Sequence, residues 1–122
     1  MPHPNFFILY VADPLASARF YEKLLERPPL ESSPTFAMFA LDSGVMLGLW
    51  SAATVEPVAN QAGGGEMAFS LENDAAVDAA HARWVNLGLP ILQAPARMDF
   101  GYTFVAGDPD GHRLRAFAAG PQ

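Results

Sequence analysis

The chain repeats its own pattern, and this internal repeat constrains the fold more than any other feature of the sequence. A shift of 60 positions places the helix cap expected at Asp13 on Asn73, and a shift of 67 positions places the turn glycine Gly44 on Gly111. Two successive βαβββ units of about 55 residues explain both offsets. The repeat therefore predicts an α+β fold of two tandem βαβββ modules. A ferredoxin-like βαββαβ arrangement fits nearly as well but leaves strands unassigned.

Module one is expected from about residue 5 to about residue 56. An apolar run forms its first strand, and Asp13 with Pro14 then opens a helix, as N-cap and first helical residue. A turn at residues 42–44 joins two further apolar strands into a hairpin. The predicted segments are a strand at Asn5–Ala12, a helix ending near Leu25, and strands at Thr35–Leu41 and Val45–Trp50. Residues 57–65, with three consecutive glycines, are expected to form a linker.

Module two is expected from about residue 66 to about residue 118, and the whole chain of 1–122 is expected to be one domain. Asn73 caps its helix, which Gly88 and Pro90 close. A tight turn at residues 108–111 precedes the last strand. The predicted segments are strands at Glu66–Glu72, Ile91–Ala94, Tyr102–Val105 and Arg113–Phe117, and a helix at Ala75–Leu87.

The composition excludes several classes of function. Seven basic and thirteen acidic residues give a net charge of −6, which argues against nucleic-acid and anionic-membrane surfaces. The chain has no cysteine, so disulfides and thiolate chemistry are excluded. No apolar run reaches the length of a membrane span, and a cytoplasmic protein is expected. Two open sheets leave strand edges that a partner can cover, which predicts a homodimer.

The end of module two carries the most specific motif. It reads Asp-Pro-Asp-Gly-His over residues 108–112 and is followed by alternating basic and apolar residues. Together with the Phe20-Tyr21 helix and the repeat, this motif resembles the vicinal oxygen chelate superfamily, which includes glyoxalase I, extradiol dioxygenases and bleomycin-resistance proteins. The resemblance covers about residues 5–118. It implies sheets curved into half-barrels, a ligand on the concave face, and dimers with sites at a module or subunit interface.

The resemblance also locates the positions that hold a divalent cation in the enzymes of that superfamily. These positions correspond here to Phe6, Gly48, Glu66 and Arg115. Phe and Gly offer no donor atom, and a guanidinium group repels a cation, so only Glu66 could be a ligand. His3, His81 and His112 lie elsewhere, at the terminus, in a helix and in a turn. We therefore expect neither a metal nor another cofactor.

Strand periodicity then suggests what lines the concave face instead. Counting by twos from Phe6 gives one face of each strand. Gly48 is expected to leave room for a ligand on this face, and Met38 or Phe39 is expected to add to the lining. The residues expected to contact a ligand are Phe6, Tyr10, Met46, Gly48, Trp50, Glu66, Phe100, Tyr102 and Arg115. Two alternatives stay open: Trp50 could belong to the core, and Glu66 with Arg115 could form a structural ion pair.

Such a lining suits a planar, partly apolar ligand, because aromatic faces stack and a few polar groups fix its orientation. Leu49-Trp50-Ser51 and the final turn are similar to phenazine- and bleomycin-resistance proteins, which bind an antibiotic without chemistry. The sequence thus favours a metal-free protein that sequesters a planar aromatic compound. The alternatives are a lyase or dioxygenase, using a metal or Glu66 as a base of raised pKa, and an interaction module without a ligand.

Overall fold

The computed structural model describes residues 3–120, which form two compact units. The first unit ends at Ala62 and the second begins at Gly63, within the segment expected to be a linker. Each unit contains one helix and one four-stranded sheet in the order βαβββ. The predicted α+β class and the tandem modules are confirmed, and the two separate sheets exclude the ferredoxin-like alternative. Neither helix within residues 3–120 is long and apolar enough to cross a membrane.

The sheet of unit one has the strand order β1-β4-β3-β2. Strand β1 pairs in parallel with β4, and the other neighbours are antiparallel. Strand β2 was not predicted, because a segment of two polar residues is too short to show the alternation of apolar and polar side chains that indicates a strand. The elements are β1 at Phe6–Val11, α1 at Pro14–Leu25, β2 at Glu31–Ser32, β3 at Phe36–Ala40 and β4 at Met46–Ser51.

Helix α1 begins as the sequence predicts and covers one face of this sheet. The Asp13 carboxylate accepts hydrogen bonds from the backbone N–H groups of Leu15 and Ala16, which satisfies donors that a helix start leaves unpaired. The buried ring of Tyr21 lies edge-on to Phe39, with 6.5 Å between the ring centroids. Phe39 therefore belongs to the face that α1 covers, and Met38, which pairs with Gly48, points to the opposite face.

Unit two repeats this arrangement with the strand order β5-β8-β7-β6. Strand β5 is parallel to β8, while β7 is antiparallel to both β6 and β8. The elements are β5 at Glu66–Ser70, α2 at Asp74–Asn86, β6 at Ile91–Met98, β7 at Gly101–Gly107 and β8 at Arg113–Ala119. Strand β6 extends beyond the predicted end at Ala94 because register shifts let it continue along β7 to Met98.

The turn between β6 and β7 consists of Asp99 and Phe100 and leads directly into Gly101. Gly101 has a φ of 148°, and a Cβ atom there would lie 2.0 Å from the carbonyl oxygen of Ala118. Glycine is therefore required where β7 approaches β8. The close approach fixes the turn beside the end of β8, and Gly120 donates a backbone hydrogen bond to Phe100.

The core of unit two is an aromatic cluster between α2 and its sheet. Trp84 is 5% exposed, and its ring lies edge-on to Phe69 and Phe104 with centroid distances of 5.2 and 5.0 Å. His81 packs against Phe104 as well, at 5.1 Å. Edge-to-face packing of this kind adds to the stabilisation from apolar burial. His81 is thus a half-buried packing residue of the helix, next to Phe104 of the cluster.

We expect Trp84→Ala to lower the free energy of unfolding by about 3–5 kcal/mol, because the truncation leaves a cavity between α2 and the sheet. Chemical denaturation followed by circular dichroism measures the change. Val85→Ala, at the neighbouring exposed position of α2, is the matched control and should change the free energy by less than about 0.5 kcal/mol. Equal losses in the two variants would contradict the assignment of Trp84 to the core.

Candidate functional site

The sheet of unit one has a second face, opposite α1, which we call the helix-free face of unit one. The strand register places side chains from three strands on it. They are Phe6, Ile8, Tyr10, Phe36, Met38, Ala40, Met46, Gly48 and Trp50. Nearly all are apolar, and the three from β1 are 39–43% exposed. Large contiguous apolar patches are rarely exposed on monomeric soluble proteins, and those that are exposed mark interaction or ligand-binding sites.

The space over Gly48 is filled rather than open. A Cβ atom at Gly48 would lie 2.9 Å from Cε1 of Phe6 and 3.0 Å from Cζ of Phe36. The expectation that Gly48 leaves room in the site is therefore wrong, because two phenyl rings from the flanking strands occupy that room. Glycine is still required here, since it lets these rings lie directly on the sheet. The result is a smooth aromatic surface without a central cavity at Gly48.

Phe36 was missed by the sequence analysis, and it contacts Trp50. Their rings lie edge-to-face with 6.1 Å between centroids, and they are direct neighbours across β3 and β4. The hairpin turn held the signal that could have found it, because a turn centred on Ser43 pairs Phe36 with Trp50. Trp50 is half-buried and lies on the helix-free face, whereas Trp84 is in the core of its own unit. Tyr10 pairs with Trp50 on the other side, across β1 and β4.

The helix-free face of unit two, opposite α2, is built differently, around a charged pair. The strand register places on it Glu66, Ala68, Ser70, Thr103, Val105, Arg113, Arg115 and Phe117. Arg115 donates from Nε to Oε1 of Glu66 at 2.7 Å and from Nη2 to Oε2 at 3.1 Å. It also donates from Nη1 to the hydroxyl oxygen of Thr103 at 3.2 Å. The alternative that Glu66 and Arg115 form an ion pair is therefore what the geometry shows.

Two aromatic rings lie next to this ion pair. The guanidinium carbon of Arg115 is 5.8 Å from the ring centroid of Phe100, which is within the range of a cation–π contact. Phe100 lies edge-on to Phe117 at 6.1 Å. The β6–β7 turn thus carries Phe100 to the helix-free face. The face combines a guanidinium group held by Glu66 with an exposed phenyl ring, and the contact of Phe100 and Arg115 with a ligand stays a prediction.

The ion pair decides the protonation of Glu66. The hydrogen bonds from Arg115 hold the pKa of Glu66 below its ordinary value, and the charges of Arg115 and Arg113 add to this, outweighing the opposite effect of burial. A raised pKa was expected from an apolar surrounding, and that expectation is wrong because the carboxylate faces two cations. A carboxylate stabilised in its charged form is a weaker proton acceptor at neutral pH than the base hypothesis requires.

Tyr102 lies on the opposite side of the sheet from Arg115. It pairs with Ala118, and its hydroxyl group donates a 2.7 Å hydrogen bond to Asp78 of α2. This hydrogen bond raises the pKa of Tyr102. Arg97 lies over the Tyr102 ring at 5.2 Å. Tyr102 was expected to contact the same ligand as Arg115. It lies three positions from Val105, which is the partner of Arg115, so the side chains of Tyr102 and Arg115 lie on opposite faces of the sheet.

The four positions that correspond to metal ligands in the superfamily do not fit a cation here. Phe6 and Gly48 carry no donor atom, Arg115 is itself a cation, and both oxygens of Glu66 accept hydrogen bonds from Arg115. In the part of the chain from residue 3 to residue 120, no group of three or more His, Asp or Glu side chains is arranged to hold a metal ion. These residues therefore provide no site for a divalent cation.

Comparison with known proteins is consistent with this architecture. The sequence profile of the Glyoxalase/Bleomycin resistance protein/Dioxygenase superfamily matches residues 3–116. The chain is 28% identical over 115 residues to the phenazine antibiotic resistance protein EhpR of Enterobacter agglomerans, covering 92% of this chain and 88% of that protein.

Solved structures with the same fold include close and distant relatives. Protein ATC0852 of Agrobacterium tumefaciens, solved by solution NMR, is 56% identical with a TM-score of 0.89, covering 99% of this chain and all of that one. A glyoxalase-related enzyme from Fulvimarina pelagi is 22% identical with a TM-score of 0.84, covering 97% and 88% of the two chains. The second likeness concerns the fold alone.

The ion pair predicts how stability depends on pH. Glu66→Gln should lower the free energy of unfolding at pH 7 by no more than about 1 kcal/mol, because the pair is partly exposed and screened by solvent. The pKa of Glu66 is depressed in the folded state, so the wild-type advantage is full above the ordinary value of 4.5. It is lost as the pH falls through the lower folded value.

Chemical denaturation of both proteins at pH 7, 4.5 and 3 measures this difference. The exposed Glu72→Gln variant is the matched control for loss of a carboxylate, and its difference from the wild type should stay small at each pH. A difference between wild type and Glu66→Gln that does not shrink at pH 3 would contradict the pairing of Glu66 with Arg115.

Proposed function

The chain belongs to the Glyoxalase/Bleomycin resistance protein/Dioxygenase superfamily, and within it we propose that this protein binds a planar aromatic small molecule without transforming it. The observation that carries the proposal is the helix-free face of unit one, where Trp50 and Phe36 stand edge-to-face on an apolar surface. Aromatic side chains on a rigid sheet stack well on a flat ring system. Binding there sequesters the compound and lowers its free concentration.

The named relative supports a resistance-type role. EhpR is a phenazine antibiotic resistance protein, and phenazine is a planar tricyclic ring system. The match extends over 92% of the chain, so it includes both units. We therefore propose a planar antibiotic, of which phenazine is a convenient probe, as the class of ligand. The proposal places the protein in the cytoplasm, where a chain without cysteine needs no oxidising environment.

The alternative of a lyase or dioxygenase receives less support. The superfamily positions for the cation carry a phenyl ring, a glycine and a guanidinium group, and the remaining carboxylate is held by Arg115. A cofactor-free route through Glu66 would need a carboxylate that accepts protons near neutral pH, while the pKa of Glu66 is lowered. Both observations favour binding without chemistry.

Trp50 supplies the sharpest test of the proposed function. Trp50→Ala should weaken the binding of phenazine by about 10- to 150-fold, because loss of a stacked indole ring removes about 1.5–3 kcal/mol. Isothermal titration calorimetry measures the affinity. In the wild type, phenazine should quench the Trp50 part of the tryptophan emission and leave the Trp84 part unchanged.

The stability of the same variants separates a wall residue from a core residue. Trp50→Ala should destabilise the protein less than Trp84→Ala does, since Trp50 is half-buried on a helix-free face. A large loss of stability in Trp50→Ala, with unchanged affinity and quenching, would assign Trp50 to the core and contradict the proposed site.

We also propose that the protein is a homodimer. Strand β1 is an edge strand of the sheet in unit one, and its apolar side chains are exposed on both faces, with Phe7 54% exposed on the face opposite Phe6. An exposed apolar edge strand favours association. A second copy of the chain is the partner that a closed two-fold assembly requires.

Light scattering coupled to gel filtration should give twice the chain mass for the wild type. Phe7→Glu should shift the mass towards that of one chain, because it places a charge in the proposed contact. The matched control is Val58→Glu, at a position that is 88% exposed and outside every strand, and it should leave the mass unchanged. A wild-type mass equal to that of one chain at micromolar concentration would contradict the dimer.

A further inference from the structure

Arg115 has hydrogen-bonding capacity that its own contacts leave unused. A guanidinium group carries five N–H donors in a planar arrangement. Three of them are engaged, through Nε and Nη2 with Glu66 and through Nη1 with Thr103. Within residues 3–120, the other two N–H groups of Arg115 donate to no protein acceptor. They can donate to a ligand.

The surrounding contacts hold this guanidinium group in place. Glu66 binds it through both carboxylate oxygens, and Thr103 is itself fixed by a 2.9 Å hydrogen bond from its hydroxyl group to the carbonyl oxygen of Ala116. The side chain of Arg115 is 19% exposed, so its stem is covered while part of the group reaches solvent. A donor that is already ordered loses little conformational entropy when a ligand accepts its hydrogen bonds.

An aromatic ring flanks the same group. Phe100 lies 5.8 Å from the guanidinium carbon, is steadied by edge-on packing with Phe117, and remains 43% exposed. A flat ring system can stack on Phe100 while an atom at its edge reaches the guanidinium group. The geometry thus suits an aromatic ligand with a hydrogen-bond acceptor attached directly to its ring system.

The charge of the pair indicates which acceptor fits. Glu66 offsets the positive charge of Arg115 through two hydrogen bonds, the nearby cation Arg113 acts on Glu66 more weakly than Arg115 does, and the chain as a whole carries a net charge of −6. An anionic ligand therefore gains little attraction at this site and meets the carboxylate of Glu66 nearby. A neutral acceptor oxygen has no such repulsion and still receives hydrogen bonds from a charged donor, which are stronger than those between neutral groups.

We propose that Arg115 makes this protein select planar aromatic ligands that carry a neutral conjugated carbonyl oxygen over those that lack one or carry a carboxylate. The inference rests on the proposed function, because it concerns which planar aromatic compounds the chain prefers. It assigns to Arg115 a specificity role, with Glu66 and Thr103 as positioning residues. Phe100, beside Arg115 on the same face, supplies stacking that does not depend on the acceptor.

Three planar tricyclic probes of nearly equal size separate these effects. Fluorenone carries a conjugated carbonyl group, fluorene carries no acceptor, and fluorene-2-carboxylate carries an anion. Calorimetric titration of the wild type should show fluorenone binding about tenfold more tightly than fluorene, the effect of a hydrogen bond from a charged donor. The wild type should also bind fluorenone more tightly than fluorene-2-carboxylate.

Variants of the ion pair assign the preference to its residues. Arg115→Gln should bind fluorene as the wild type does and lose the preference for fluorenone. The double variant Glu66→Gln/Arg115→Gln, which leaves no unpaired carboxylate, should behave in the same way. Glu66→Gln leaves the guanidinium charge uncompensated and should raise the affinity for fluorene-2-carboxylate by about tenfold.

Arg113→Gln is the matched control. It removes a cation from the same strand and face and should keep the preference for fluorenone. Thermal unfolding of each variant verifies that it is folded.

The outcomes distinguish this inference from the proposed function. Equal affinities of the wild type for fluorenone and fluorene would overturn the inference while leaving the binding of planar aromatic compounds intact. Tightest binding of fluorene-2-carboxylate by the wild type would also overturn it, as would loss of the fluorenone preference in Arg113→Gln to the same extent as in Arg115→Gln. Binding of none of the three probes would overturn the proposed function together with the inference.

Discussion

The parallel pairing of the first strand with the last strand of each unit is the constraint on which the arrangement of side chains depends. It aligns Tyr10 with Trp50 in unit one and Ala68 with Arg115 in unit two. Because strand side chains alternate between faces, this register divides each sheet into a face that packs under a helix and a helix-free face. A shift of one residue in β4 would bury Trp50 under α1 and turn Leu49 outward.

Equivalent strand positions on the two helix-free faces carry chemically different side chains. In unit one, Gly48 lets the rings of Phe6 and Phe36 lie against the sheet, so the surface is apolar and aromatic. In unit two, Arg115 is held by Glu66 and Thr103 beside Phe100. One face thus offers stacking and the other directed hydrogen bonding, and among the described residues no group of three or more His, Asp or Glu side chains is arranged to hold a metal ion.

The sequence predicts the elements and the face of most residues, because helix caps, turns and strand alternation are local signals. The repeat predicted both modules, and alternation placed Trp50, Phe6 and Arg115 on the faces where the structure has them. Three features escaped this reasoning. The register of β7 against β8 decides the face of Tyr102, the crowding over Gly48 depends on rings from two other strands, and the pKa of Glu66 depends on hydrogen-bond geometry.

An NMR titration of the isotope-labelled protein with phenazine tests the central claim most directly, because it reports which residues a planar ligand contacts. The account predicts shifts of the Trp50 indole N–H and of the Gly48 amide, an unchanged Trp84 indole signal, and phenazine recovered chemically intact. Shifts confined to Trp84 and its neighbours on α2, or conversion of the ligand, would contradict the claim that the helix-free face of unit one binds planar aromatic compounds without chemistry.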